Sequence, residues 1–129
     1  ALKKNNVSLR RLDIPGAAFD DGSAAELAGA LQSDRVLEEL ILNYCRLGDA
    51  KGATIVNAVQ RNNTLKTLEL CYNELEEGAG RGIAALLRSN SCLQKLNVCE
   101  NSGLKGQREI LEAMKTNRAV TDLNLSYCG

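Results

Sequence analysis

Leu9, Leu37, Leu65 and Leu93 stand 28 residues apart, and Val120 follows 27 residues after the last of them. A fixed period of this size marks a unit that cannot bury its own apolar face, so the chain has to fold by stacking copies. The third copy carries the pattern in full: Leu65, Leu68, Leu70, Asn73 and Leu75 spell LxxLxLxxNxL. Aligned on it are Leu9, Leu12, Ile14; Leu37, Leu40, Leu42, Cys45, Leu47; Leu93, Leu96, Val98, Asn101; and Val120, Leu123, Leu125, Cys128. Alternation at period two predicts a strand at the head of each unit. Further along, Leu27/Leu31, Ile55/Val59, Ile83/Leu87 and Ile110/Met114 are apolar pairs spaced i,i+4, which predicts a helix before the next head. Ser23-Ala24-Ala25-Glu26 reads as a capping box that opens the first helix at Ser23. Asp34, Asn62, Asn90 and Asn117 each stand three residues before the next head, where a short polar residue ends the helix and tolerates a left-handed backbone.

The units run 9–36, 37–64, 65–92 and 93–119, with the tail of a helix at 1–8 and a partial fifth unit at 120–129. Period, consensus and following helix together resemble the ribonuclease-inhibitor-like leucine-rich repeats, a family that includes ribonuclease inhibitor, NOD-like receptors, tropomodulin and the Ran GTPase-activating protein. The resemblance implies an α/β leucine-rich-repeat solenoid: a right-handed β-α superhelix with a parallel sheet on its concave face and helices outside. It does not settle function, because unrelated activities share the fold. The fourth unit departs from the pattern, since Leu104 falls one residue late and two residues are missing before Ile110, so a local bulge and a shorter helix are expected there. Neither end carries a polar capping unit. The chain is therefore expected to be part of a longer protein, or to have its edge shielded in an assembly.

Composition narrows the function. Sixteen basic residues balance sixteen acidic ones, with eight of each on either side of the Thr64–Leu65 bond, so neither half attracts nucleic acid or an anionic membrane. No apolar run approaches the roughly 18 residues of a membrane span, and the first residues lack a signal-peptide core. The absence of histidine removes the commonest general base and metal ligand, and the five cysteines form no CxxC pair. No enzyme activity, cofactor or metal is expected. Cys45 and Cys128 take the place of the consensus Asn and read as structural. Cys71 and Cys99 share one strand position in adjacent units, about 4.8 Å apart in a parallel sheet. A bridge between them is conceivable, but an odd cysteine count favours free thiols in a reducing compartment, here the cytoplasm. Gly78, Gly80 and Gly82 superficially resemble a phosphate cradle, yet recurrent glycines at Gly22, Gly48, Gly52 and Gly106 favour close helix packing. Acidic pairs Asp20-Asp21 and Glu76-Glu77 read as favourable charges at helix starts.

What remains are the positions that the consensus leaves free. Alternation puts three columns on the concave face: Arg11, Glu39, Thr67, Lys95, Asp122; then Asp13, Ile41, Glu69, Asn97, Asn124; then Pro15, Asn43, Cys71, Cys99, Ser126. All three tyrosines fall one step further, Tyr44, Tyr72 and Tyr127 in one register that Glu100 interrupts. Such a row either packs its rings over the adjacent loops or forms a protein-binding rim. The expected binding residues are Arg11, Glu39, Tyr44, Glu69, Tyr72, Lys95, Asn97, Asp122 and Tyr127, and the expected partner is another protein. Two further readings stand beside this one. A GTPase-activating role would draw on Arg11, and a cytoskeletal role, on actin or a flagellar assembly, follows from the tropomodulin side of the resemblance.

Overall fold

A computed structural model describes residues 9–129; the helix tail expected at 1–8 lies outside the described residues. Five strands alternate with four helices: β1 (Arg11–Asp13), α1 (Asp21–Ser33), β2 (Glu39–Ile41), α2 (Gly48–Gln60), β3 (Thr67–Glu69), α3 (Glu77–Ser89), β4 (Lys95–Asn97), α4 (Gln107–Met114) and β5 (Asp122–Asn124). The strands form one parallel sheet in chain order, with Leu12, Leu40, Leu68, Leu96 and Leu123 opposite one another in register. Each strand is three residues long because the alternation lasts only that far before the turn. The helices pack side by side, α1 on α2, α2 on α3 and α3 on α4. Between sheet and helices lies one core, in which Leu31, Leu40, Leu68, Leu70, Leu96, Ile55, Ile83 and Ile110 are fully buried.

The helices α1, α2 and α3 have 13 residues each, whereas α4 has eight, shorter as the two missing residues predict but by more than those two. The irregularity at Leu104 is a turn through Ser102 and Gly103, closed by the Leu104 amide donating to the Asn101 carbonyl at 2.9 Å. It delivers Leu104 to full burial despite the late position. The backbone then enters α4 through Gly106 at φ 91°, a value that glycine adopts without a Cβ clash.

Two expectations about helix ends are corrected. The cap of α1 is Asp20 and not Ser23: the Ser23 amide donates to Asp20 Oδ1 at 2.7 Å, and the Asp20 amide donates back to Ser23 Oγ at 3.0 Å. The reciprocal box is real but starts three residues earlier, because Ser23 fills the far position that Glu usually holds. Nor do Asp34, Asn62, Asn90 and Asn117 adopt the left-handed backbone; Asp34 and Asn90 are extended, at φ −72° and −90°. Their side chains do the work instead. Asn62 Oδ1 accepts from the amides of Thr64 and Leu65 at 2.8 and 2.7 Å, while its Nδ2 donates to the Leu31 carbonyl at 2.7 Å. Asn90 and Asn117 repeat the arrangement, donating to Val59 and Leu87.

A second ladder spans the strand-to-helix turns. Asn73 Oδ1 accepts from the amides of Cys45 and Leu47, and its Nδ2 donates to the carbonyls of Leu42 and Cys71. Asn101 holds Asn73, Leu75 and Leu70 in the same way. Cys45 and Cys128 stand in this ladder as the alignment expected, but a thiol only donates weakly, to the carbonyls of Ile14 and Val98 at 3.4 and 3.0 Å. Removing a fully buried side chain flanked by two strands leaves a cavity that cannot close. Leu68→Ala should therefore lower stability by roughly 2–5 kcal/mol in equilibrium denaturation.

Candidate protein-binding face and rim

The register aligns the free positions as alternation required. Arg11, Glu39, Thr67, Lys95 and Asp122 form one row across the helix-free face of the sheet, and Asp13, Ile41, Glu69, Asn97 and Asn124 form the next. These side chains engage one another. Arg11 bonds Asp13 at 3.1 Å and Glu39 at 3.2 Å, and Lys95 reaches Glu69 at 3.3 Å. Asn43 Nδ2 donates to Glu69 at 3.0 Å, its Oδ1 accepts from the Cys71 amide at 2.8 Å, and the Cys71 thiol donates to Asn97 Oδ1 at 3.0 Å. Glu69 thus holds three elements of the face together. The result differs from a row of free contact residues: Ile41 and Cys71 are buried on this face, while Asp122 makes no ion pair among the described residues.

All five cysteines are free thiols. Burial first, and then the adjacent Cys99, push the Cys71 thiol up to about 12. Burial also raises Cys45 and Cys128 above the ordinary thiol value. A thiol reacts as its thiolate, so Cys71 stays protonated and inert at pH 8. Alkylation at that pH, followed by peptide mass mapping, should label Cys92 well before Cys71.

Beyond the strands the chain turns through a left-handed backbone at Tyr44, Tyr72, Glu100 and Tyr127, with φ of 63°, 59°, 60° and 59°. The tyrosine register therefore follows from the backbone, as does the place of Glu100 within it. Tyr44 and Tyr72 stack face to face, ring centroids 4.3 Å apart and planes 12° from parallel, and both remain exposed, at 56% and 43%. Tyr127 stands apart at 77% exposure, one unit beyond Glu100. Hydrogen bonding to Tyr44, then partial desolvation and the charge of Glu100, hold the Tyr72 phenol above its ordinary pKa.

Next to the stack lies a shallow groove of about 430 Å³ lined by Tyr44, Arg46, Tyr72, Glu74, Glu100 and Ser102. Arg46 and Glu74 share the left-handed conformation, at φ 50° and 59°. Neither residue belongs to the consensus or to the strand columns. The repeat still marks their place, because Arg46, Glu74 and Ser102 each follow the ladder residue at a position the pattern leaves free.

The glycines of α3 hold no phosphate cradle. The Asp49 carboxylate, from the preceding unit, already occupies that helix start, accepting from the amides of Glu76, Gly78 and Ala79 at 2.9, 2.8 and 2.8 Å. A Cβ on Gly78 would strike Asp49, and one on Gly80 the Lys105 carbonyl, so both glycines serve close approach between units. Among the described residues, no three His, Cys, Asp or Glu side chains gather as a metal site, and no helix is long and apolar enough to cross a membrane.

With this geometry in view, comparison with known proteins yields a likeness of fold. No protein-family model matches the sequence, and no curated protein matches it. Among solved structures, the chain is similar to the tropomodulin C-terminal domain of Caenorhabditis elegans, with a TM-score of 0.81 at 18% identity, covering 97% of this chain and 78% of that one. It is also similar to the actin-binding site 2 of leiomodin-1, with a TM-score of 0.73 at 20% identity, covering 89% and 69%.

Burial raises the Asp49 carboxyl, but the three amides that bond its charged form outweigh this and set it below the usual value. A depressed folded pKa adds stability that is complete above the unfolded value, about pH 4, and fades as pH falls through the folded one. Asp49→Ala should cost about 0.5–2 kcal/mol at neutral pH, in the range of a helix cap. In denaturation at successive pH values, the gap between wild type and variant should begin to narrow as pH falls below about 4 and close only below the depressed folded pKa.

Proposed function

We propose that this chain is a ribonuclease-inhibitor-like leucine-rich-repeat solenoid that recognises a partner protein and performs no catalysis of its own. The contact surface in this reading is the concave sheet and the loops along one rim. The observation that carries it is the exposed Tyr44–Tyr72 stack beside two rows of charged and polar side chains. Leucine positions are consumed by the core, so the free positions of strand and loop are the ones that differ from unit to unit. Tyrosine offers a large contact area at small entropic cost, with a hydroxyl to pair.

Within this reading the partner we favour is filamentous actin, in the cytoplasm. The support is the likeness of fold to the tropomodulin C-terminal domain and to the actin-binding site 2 of leiomodin-1. A GTPase-activating role is less well supported, because Arg11 is clasped by Asp13 and Glu39 and would have to leave both carboxylates to reach a nucleotide.

Co-sedimentation with actin filaments tests the proposal. The chain should pellet with filaments, and Tyr72→Ala should weaken binding by about 2 kcal/mol or more, as truncation of a central anchor does. Arg88→Ala and Lys115→Ala, exposed on the helix side, should leave it unchanged. Binding that falls with the helix-side substitutions and ignores Tyr72, Glu69 and Lys95 would place the interface on the opposite side.

A further inference from the structure

We propose that the groove beside the stacked tyrosines takes a cationic side chain, arginine or lysine, from a basic segment of the partner protein. The proposal rests on the protein-recognition reading above and supplies the chemistry of its rim.

Two glutamates and one arginine line the groove together with two aromatic rings. Among the described residues, neither Glu74 nor Glu100 takes part in an ion pair, although Arg10, Arg11, Arg81, Lys95 and Lys115 all do. On the sheet face Asp13, Glu39 and Glu69 are paired from within the chain, whereas Glu74 and Glu100 on the rim have no cationic partner among the described residues. Beside them the Tyr44–Tyr72 stack presents its rings to the same space. The face of an aromatic ring is its negative side, so a cation seated over it is attracted by the ring as well as by a nearby carboxylate. A guanidinium fits both demands, since it stacks flat on tyrosine and bonds a carboxylate with two parallel N–H groups.

Other occupants fit less well. An anion would meet Glu74 and Glu100 at close range, and a purely apolar group would strip water from both carboxylates and from Arg46 without replacing it. The groove is also preformed. Tyr44, Arg46, Tyr72, Glu74 and Glu100 all sit in the left-handed region, which side chains other than glycine adopt at a cost. Buried Cys45, Asn73 and Asn101 alternate with them and pin the backbone from below. Little backbone freedom is left to lose when a ligand arrives.

A two-dimensional NMR titration of the whole chain with a capped tetra-arginine peptide tests this, with tetra-glutamate and tetra-glutamine peptides as controls. The formal net charge is zero, so bulk attraction does not favour the arginine peptide. Tetra-arginine should shift the resonances of Tyr44, Tyr72, Glu74, Glu100 and Ser102, and the effect should weaken as salt rises. A chain carrying Glu74→Gln and Glu100→Gln, both outside the core, should bind about tenfold more weakly, the size of a lost charge-assisted contact. Tyr72→Phe, which keeps the ring, should bind nearly as well as wild type, and Glu26→Gln, exposed on α1, should change nothing. Equal shifts from tetra-glutamine, shifts confined to the sheet face, or none at all would overturn the proposal. So would binding indifferent to the double substitution. Any of these results alongside intact filament binding would sink the rim chemistry alone. Arginine-peptide binding without filament binding would uphold the rim and remove actin as its partner.

Discussion

A peptide group that is buried without a hydrogen-bond partner costs about 1–3 kcal/mol, and each unit of this array must bury two irregular turns beside its strand. No ladder of sheet or helix reaches those turns. The side-chain amide of asparagine meets the need because it offers two donors and an acceptor oxygen with two lone pairs. Asn73 and Asn101 each pin the strand-to-helix turn of the unit before, accepting from its amides and donating to its carbonyls, and Asn62, Asn90 and Asn117 accept from amides at the start of the next head while donating to carbonyls of the unit before. Among the described residues, no fully buried side-chain nitrogen or oxygen lacks a partner. The leucine core supplies the driving force for stacking, but these amides fix how far one unit is set from the next. The register of the sheet, the tyrosine stack and the seat of Asp49 on α3 all follow from that spacing.

Strands, helix faces and the short α4 were legible in the sequence because burial repeats with the period of the backbone. The helix boundaries were less so. Ser23 and Asp20 are both competent caps, and only the reciprocal bond in space shows that Asp20 is first. The type and place of Asp34 and Asn90 suggest tolerance of a left-handed backbone, whereas their acceptor oxygens, reaching the amides two and three residues on, decide their role. The columns on the sheet were foreseeable from alternation, but their mutual pairing was not, since it depends on rotamers that no pattern encodes. The groove escaped notice for a related reason. Arg46, Glu74 and Ser102 differ from one another, so a search for recurrence passes over them even though their position recurs.

Sheet and rim divide two tasks that compete. Charges that pair across strands, as Arg11 with Glu39 and Lys95 with Glu69, hold side chains in place and reduce the field they offer to a partner. Exposed pairs of this kind are worth about 0–1 kcal/mol each, so their main effect is on orientation. The left-handed loops work the other way. Turning their residues outward leaves Tyr44, Tyr72 and Glu74 in water and Glu100 half-exposed beside them, the surface that the proposed recognition would use.

The placement of the aromatic residues has an optical consequence. The chain has no tryptophan, its three tyrosines all stand on the rim, and Phe19, packed partly buried against the core, is the one remaining ring. Near-ultraviolet absorbance, circular dichroism in that band and intrinsic emission therefore report on the rim and are nearly silent about the leucine interior. The stacked pair gives that band a chiral, short-range coupling that the lone Tyr127 lacks. A ligand that parts the rings would change the spectrum of a fully folded molecule. Loss of the interior, conversely, has to be followed through the peptide bands of helix and sheet, which makes docking and unfolding two separable signals in one unlabelled sample.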